Sequence, residues 1–407
     1  MKIKELLFFI ITVLVLYCFV FNPPFPFFSM GLPKFFSILL CPLFLFTKFF
    51  KQYWRNYRYV AILLLSCILY TYFIKLIYSS SALFPERLVL MMFESFFTAY
   101  ILAYFLLKKF KEKADIVILW VTILASIISV GLILRPDINE WVRFYFGLLQ
   151  DERLSILIIY RGFGIADDLL FTYPIALSIG GCLCIHYARK NKIYYCFLPF
   201  ILIGIFFNAR IGVVPMFLYI VYVSFFERKL GKILQMCLGG IVVFCFFKYS
   251  GILEGQERTI DWVIAGSEEV TSLVNDGETT GNFDALFGYM LVFPKTILGF
   301  IFGTGKDIFL AEQNSDVGYI LQLNYGGLIY VLFFVSIVVA LFRKLKSRIK
   351  PDYQWFSFVL LGTFLICNIK GSFFSTISSI RMLMLLFFIY TMKPQLKFND
   401  NEELNKK

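Results

Sequence analysis

The chain has 407 residues, of which 59% are hydrophobic and 16% charged, and 51 are phenylalanine. A soluble domain carries about 25% charge, and no water-soluble fold of this length hides so much apolar surface, so lipid must solvate much of the molecule. The formal net charge of +12 does not indicate nucleic acid, because the lysines and arginines cluster in short links between apolar runs, as topology signals do.

In chain order, Lys2 and Lys4 precede an apolar run that ends at Phe21 and is followed by Asn22-Pro23-Pro24. No small-x-small cleavage site follows, so the segment reads as a retained first helix. At about twenty apolar residues per crossing, the sequence predicts an all-α polytopic membrane protein with about twelve transmembrane helices. They lie at 5–22, 32–50, 59–78, 88–107, 115–134, 169–188, 193–208, 211–227, 233–249, 317–342, 353–370 and 372–392, in a single integral membrane domain over 1–407. Pro42 in the second span is tolerable as a kink.

Orientation follows from the links. Lys48 to Arg58, Lys108 to Lys113, Arg189 to Lys192, Arg228 to Lys232 and Arg343 to Lys350 all fall on one side of a twelve-span chain. So do the N-terminus and the tail 393–407, and that side is cytoplasmic by the positive-inside rule. Two long loops, 135–168 and 250–316, then face outward. Within the second, Tyr289 to Gly305 is apolar but broken by Pro294, Lys295 and glycines, and reads as an interfacial or re-entrant segment. Two crossings there would raise the count to fourteen.

Charged residues deep in apolar runs are the candidates for chemistry, since an arginine at a helix centre costs roughly 2.5–3.5 kcal/mol on insertion scales. Arg381 lies well inside the last span and has two readings: a buried ion pair, with Glu94 as partner, or a ligand cavity. Arg210 and Lys370 sit at outer turns, where snorkelling to headgroups competes with ligand binding. Arg161 opens Arg161-Gly162-Phe163-Gly164, whose glycines permit close backbone approach or a plain turn. With Arg135, Arg143, Arg153, Arg258, Lys295 and Lys306, these cations lie on the side where positive charge is normally sparse. An outward cationic cavity suits an anionic ligand, and arginine grips phosphate bidentately.

Asp316 is either an N-cap or a carboxylate that orients or deprotonates a hydroxyl, with Asn314 beside it. Asp167 and Asp168 carry the same ambiguity, with capping favoured. Gly303-Thr304-Gly305-Lys306 fails the full phosphate-loop pattern, because Phe300 and Asp307 occupy required positions. No metal site or cofactor motif is legible, no structural disulfide is expected from the nine cysteines, and the sole histidine, His186, falls at a cytoplasmic helix end.

The architecture, together with Arg161-Gly162-Phe163-Gly164, Phe207-Asn208-Ala209-Arg210-Ile211-Gly212 and the stretch from Gly303 through Asn314-Ser315-Asp316-Val317-Gly318-Tyr319 to Leu328, resembles the O-antigen polymerase (Wzy) family, within the O-antigen ligase and polymerase superfamily. The resemblance implies a GT-C-like membrane glycosyltransferase of the bacterial inner membrane, with the long loops in the periplasm. It implies a glycan donor and acceptor on undecaprenyl pyrophosphate, no metal or other cofactor, and a chain-length regulator as an admissible partner. Arg161, Arg210 and Asp316 would be catalytic, and Arg381, Lys370, Arg153 and Asn314 would bind substrate. Ligases of the superfamily carry a histidine in the loop corresponding to Gln313-Asn314-Ser315, which this chain lacks. That departure favours polymerase over ligase; a flippase is the rival from another class.

Overall fold

The computed structural model describes residues 3–26, 28, 30–145, 162, 164–166, 171–228, 284, 286, 288–309, 315–375 and 377–404. Among these, every regular element is helical. Lipid-facing backbone has no water to bond, so the amide groups of each apolar run must pair within the run.

Helix α1 spans Ile3–Phe21, α2 Leu32–Leu45 and α3 Lys48–Ile77. Helix α4 (Phe84–Met91) runs through a π-helical segment, Met92–Thr98, into α5 (Ala99–Phe110). Next come α6 (Ala114–Leu134), α7 (Pro136–Tyr145), α8 (Thr172–Ala188), α9 (Leu198–Phe206) and α10 (Val214–Glu227). The chain continues through α11 (Ile297–Phe302), α12 (Gly318–Lys346), α13 (Gln354–Cys367) and α14 (Ser378–Leu404).

A helix therefore lies at each predicted crossing except 233–249, which is outside the described residues, as is most of 250–316. Among the described residues, five stretches are long and apolar enough to cross a bilayer: Ile3–Phe21, Lys48–Ile77, Phe84–Leu134, Arg210–Glu227 and Gly318–Lys346. This is the build of a multi-pass membrane protein.

Three elements differ from expectation for local reasons. The second span stops at Leu45 because Thr47 caps the next helix, its side-chain oxygen accepting from Phe49 N at 3.3 Å. The segment 135–168, expected as a loop, opens with α7, which turns Asn139, Val142 and Arg143 inward. The segment 289–305 holds only the short helix α11.

Helix α8 is the centre of the bundle. Its residues are apolar or small around the whole circumference, and every one from Thr172 to Ala188 is buried, as a helix without a polar face requires. Residues 380–393 of α14 are buried alongside it. Helix α1 instead exposes Leu6, Leu7, Phe8, Ile10 and Ile11, the face that lipid would cover.

The predicted cytoplasmic end is tied by charge. Lys393 Nζ lies 3.5 Å from Asp115 Oδ1 and 3.5 Å from Glu112 Oε2. Tyr390 Oη donates to Asp115 Oδ2 at 3.1 Å, and Asp115 is fully buried.

Candidate functional site

The site is built around the first turn of α8, against which the segments of Gly164, Gly212 and Gly371 pack. Gly162 packs so closely on α6 that a Cβ there would run into Ile133 Cγ1 and the Ser129 carbonyl. Its own carbonyl accepts from Ser129 Oγ and, at 3.2 Å, from Asn208 Nδ2. Gly164 has a φ of 65°, and a Cβ there would meet Tyr173 Oη at 2.5 Å. Glycine is the residue that tolerates both demands. Tyr17 Oη, on α1, donates to Ile165 O at 3.1 Å. Tyr173 in turn donates to Ala125 O at 2.9 Å.

Asn208 ends the turn after α9, and Arg210 follows on a 3-10 turn, Arg210–Val213, that leads into α10. Arg210 is half-buried. Gly212 sits against Pro174, where a Cβ would approach Pro174 Cβ to 2.6 Å. The stretches around Gly162 and Arg210, 46 positions apart at their hydrogen-bonded residues, are thus held together by Asn208.

Arg143 adds a second guanidinium. It is 1% exposed, and its Nε donates to Asn139 Oδ1 at 2.8 Å. Burial pushes its pKa down to about 9, with Tyr173 partly opposing the shift. That leaves it cationic at neutral pH, beside the ring that supports Gly164.

Arg381 lies one element away. Its Nη1 donates to Glu94 Oε2 at 3.3 Å and its Nε to Val20 O at 3.0 Å, and the side chains of the pair are 2% and 4% exposed. Of the two readings of Arg381, the structure shows the ion pair with Glu94 rather than an open cavity at the guanidinium. Glu94 sits in the π-helical segment, a feature that recurs at functional sites. Val20 is one turn along α1 from Tyr17, so α1 links this ion pair to the Gly162–Ala166 segment.

A further segment carries Asp316. Its Oδ2 lies 3.9 Å from Lys370 Nζ, and both side chains are 38% exposed. Asp316 does not cap α12, whose N-cap residue is Val317 and has no side-chain cap bond; Ser315 beside it accepts from Val317 N at 3.2 Å and donates to Met290 O at 2.7 Å. Gly371, next to Lys370, packs under the Phe171 ring at the start of α8. The Asp316–Lys370 pair is therefore joined to the Gly164 and Gly212 contacts through Phe171, Tyr173 and Pro174.

A break in α12 lies nearby. Gly327 has φ 66° and ψ −169°, and α11 fills the notch it opens. Three carbonyls just before the break are taken. Asn324 O accepts from Thr304 N and Thr304 Oγ1, each at 2.8 Å; Tyr325 O accepts from Gly305 N at 2.9 Å; Gly326 O accepts from Tyr70 Oη at 2.8 Å. The break is closed architecture rather than a ligand cradle.

Of the residues expected to act, Arg210 joins the Gly162 segment, Arg381 pairs with Glu94, and Asp316 pairs with Lys370. Arg161, Arg153 and Asn314 lie outside the described residues. Sequence reasoning gave no role to Asn208, Ser129, Tyr173 or Phe171. Only Asn208 carried a signal, an amide at an outer turn inside an apolar run. Among the described residues no three His, Cys, Asp or Glu side chains converge to hold a metal ion.

Comparison with protein-family models, with curated proteins and with solved structures gives no match.

Proposed function

We propose that the chain is a surface-polysaccharide polymerase of the bacterial inner membrane, with twelve crossings, both termini cytoplasmic and the loops 135–168 and 250–316 periplasmic. It joins repeat units carried on undecaprenyl pyrophosphate. The observation that carries the reading is the convergence on Phe171–Pro174. Two stretches that resemble polymerase motifs, around Gly162 and Arg210, meet one helix start although they are far apart in sequence, and the Asp316 stretch is tied to that start through Lys370 and the neighbouring Gly371. Guanidinium groups and a carboxylate thereby share one end of the bundle.

The chemistry needs those groups. The bond that breaks joins the sugar anomeric carbon to a phosphate oxygen, and the bond that forms joins that carbon to an acceptor hydroxyl. The pyrophosphate leaves with the bonding pair, so negative charge grows on it. Arg161 and Arg210 would stabilise that charge in a partly desolvated site, with Arg153, Lys370 and the Arg381–Glu94 pair behind them. Asp316, with Asn314, would orient the acceptor hydroxyl and take its proton. The leaving group arrives already activated, so the reaction needs no nucleotide.

The test is the surface-glycan ladder of a deletion strain. A polymerase leaves a single repeat unit on the surface, whereas loss of every unit indicates a ligase or flippase and contradicts the proposal.

A further inference from the structure

We infer that Asn208 is the positioning residue that locks the Gly162–Ala166 segment to the Arg210 turn; the inference rests on the polymerase reading above. Asn208 is fully buried. Its Nδ2 donates to Gly162 O at 3.2 Å and to Gly204 O at 2.5 Å, and lies 3.2 Å from Ser129 Oγ. Carbonyl oxygens only accept, so the amide nitrogen must face Gly162 and Gly204, and the orientation of the side chain is fixed.

The opposite atom, Oδ1, is buried with no hydrogen-bond partner among the described residues. A leucine of similar size would avoid that unpaired acceptor, whose burial is unfavourable. What the amide alone supplies is the Nδ2 donor. Its distinctive target is Gly162 O, because Gly204 is on the same turn and Ser129 Oγ already donates to Gly162. One side chain from α6 and one from the turn after α9 thus hold one loop carbonyl, the carbonyl next in sequence to Arg161. Two residues beyond Asn208 is Arg210. The amide therefore sets the spacing between the backbone that carries one arginine and the turn that carries the other.

The experiment uses the purified full chain in lipid nanodiscs, as wild type, Asn208→Leu, Ser129→Ala, Arg210→Lys and the double variant Asn208→Leu/Arg210→Lys. Two quantities are read: amide hydrogen exchange at 162–166, and kcat/KM for a lipid-linked repeat unit. Asn208→Leu is expected to speed exchange at 162–166 about tenfold and leave α13 unchanged, and to lower kcat/KM about tenfold. The double variant should lose little more than Arg210→Lys alone, because both changes act on the same guanidinium placement. Ser129→Ala, which removes one of two donors, should move both readouts in the same direction by less, and serves if Asn208→Leu does not fold. Unchanged exchange at 162–166 overturns the inference. So does faster exchange with losses that multiply independently, since Asn208 would then be structural only. A wild type that makes no polymer overturns the polymerase reading and the catalytic half of this inference, while exchange still decides the contact.

Discussion

The residue that divides a binding role from a structural one most sharply is arginine, and this chain places two of them differently. Arg210 is half-buried at the end of a turn, while Arg381 is enclosed with Glu94. Removing Arg381 takes away the cation that faces the buried Glu94 carboxylate, and breaking a buried pair costs about 3–5 kcal/mol. Arg381→Ala should therefore lower the thermal stability of the purified protein strongly. Glu94→Gln with Arg381→Met should be more stable than Arg381→Ala alone. Arg210→Ala should instead leave protein level and melting temperature near wild type while long chains disappear, and Arg210→Lys should restore them only in part, because the planar fork is lost. Polymer ladders and melting curves from the same membranes separate the two cases. Both arginines stood out in the sequence, Arg381 as a charge inside an apolar run and Arg210 as one at the turn between two runs. A partner was legible only for Arg381, where Glu94 lies about two turns inside a predicted span. The Asn208 contact to Gly162 was not legible, because a hydrogen bond across 46 positions leaves no local trace.

At the scale of elements, the break in α12 is the feature that tests how backbone is satisfied in an apolar setting. Gly327 combines a left-handed φ of 66° with close approach to Ile301 O and Gly303 N. Gly327→Ala adds strain of about 1–3 kcal/mol and a collision with the α11 backbone, so it should reduce the folded yield. Thr304→Val removes one of two donors to Asn324 O and should cost about 1 kcal/mol in an unfolding titration. Proline and glycine between Tyr289 and Gly305 announced an irregular segment. The helix it docks against carried only a glycine pair, Gly326-Gly327, inside a long apolar run, and glycine there is equally compatible with an intact helix. The same ambiguity hid the amphipathic helix α7, which falls in a stretch dense with charge.

For the whole molecule, composition and long apolar runs give the membrane class, and the described helices follow those runs closely. The interior order does not follow from hydropathy. Helices α8 and α1 are both apolar, yet α8 is buried throughout and α1 exposes a broad face. The difference lies in small residues such as Gly180 and Gly181, which let α8 approach Thr122 of α6 and Met216 of α10 closely. The buried pair of Lys393 and Asp115 fastens α14 to the start of α6. Asp115→Ala leaves Lys393 buried without that partner and should destabilise the protein by about 3 kcal/mol, read as earlier heat-induced aggregation in nanodiscs. Topology is read separately: cysteines placed near residues 140 and 270 should react with an impermeant thiol reagent added to intact spheroplasts, and one placed near residue 230 should not.

The most direct measurement of the proposed activity combines the purified chain with an undecaprenyl-pyrophosphate-linked repeat unit and follows both products. The account predicts that polymer and undecaprenyl pyrophosphate appear together, one carrier released for each unit joined, and that Arg210→Ala stops both. Transfer of the units to a lipid A core without chain growth, or no release of carrier at all, would contradict it.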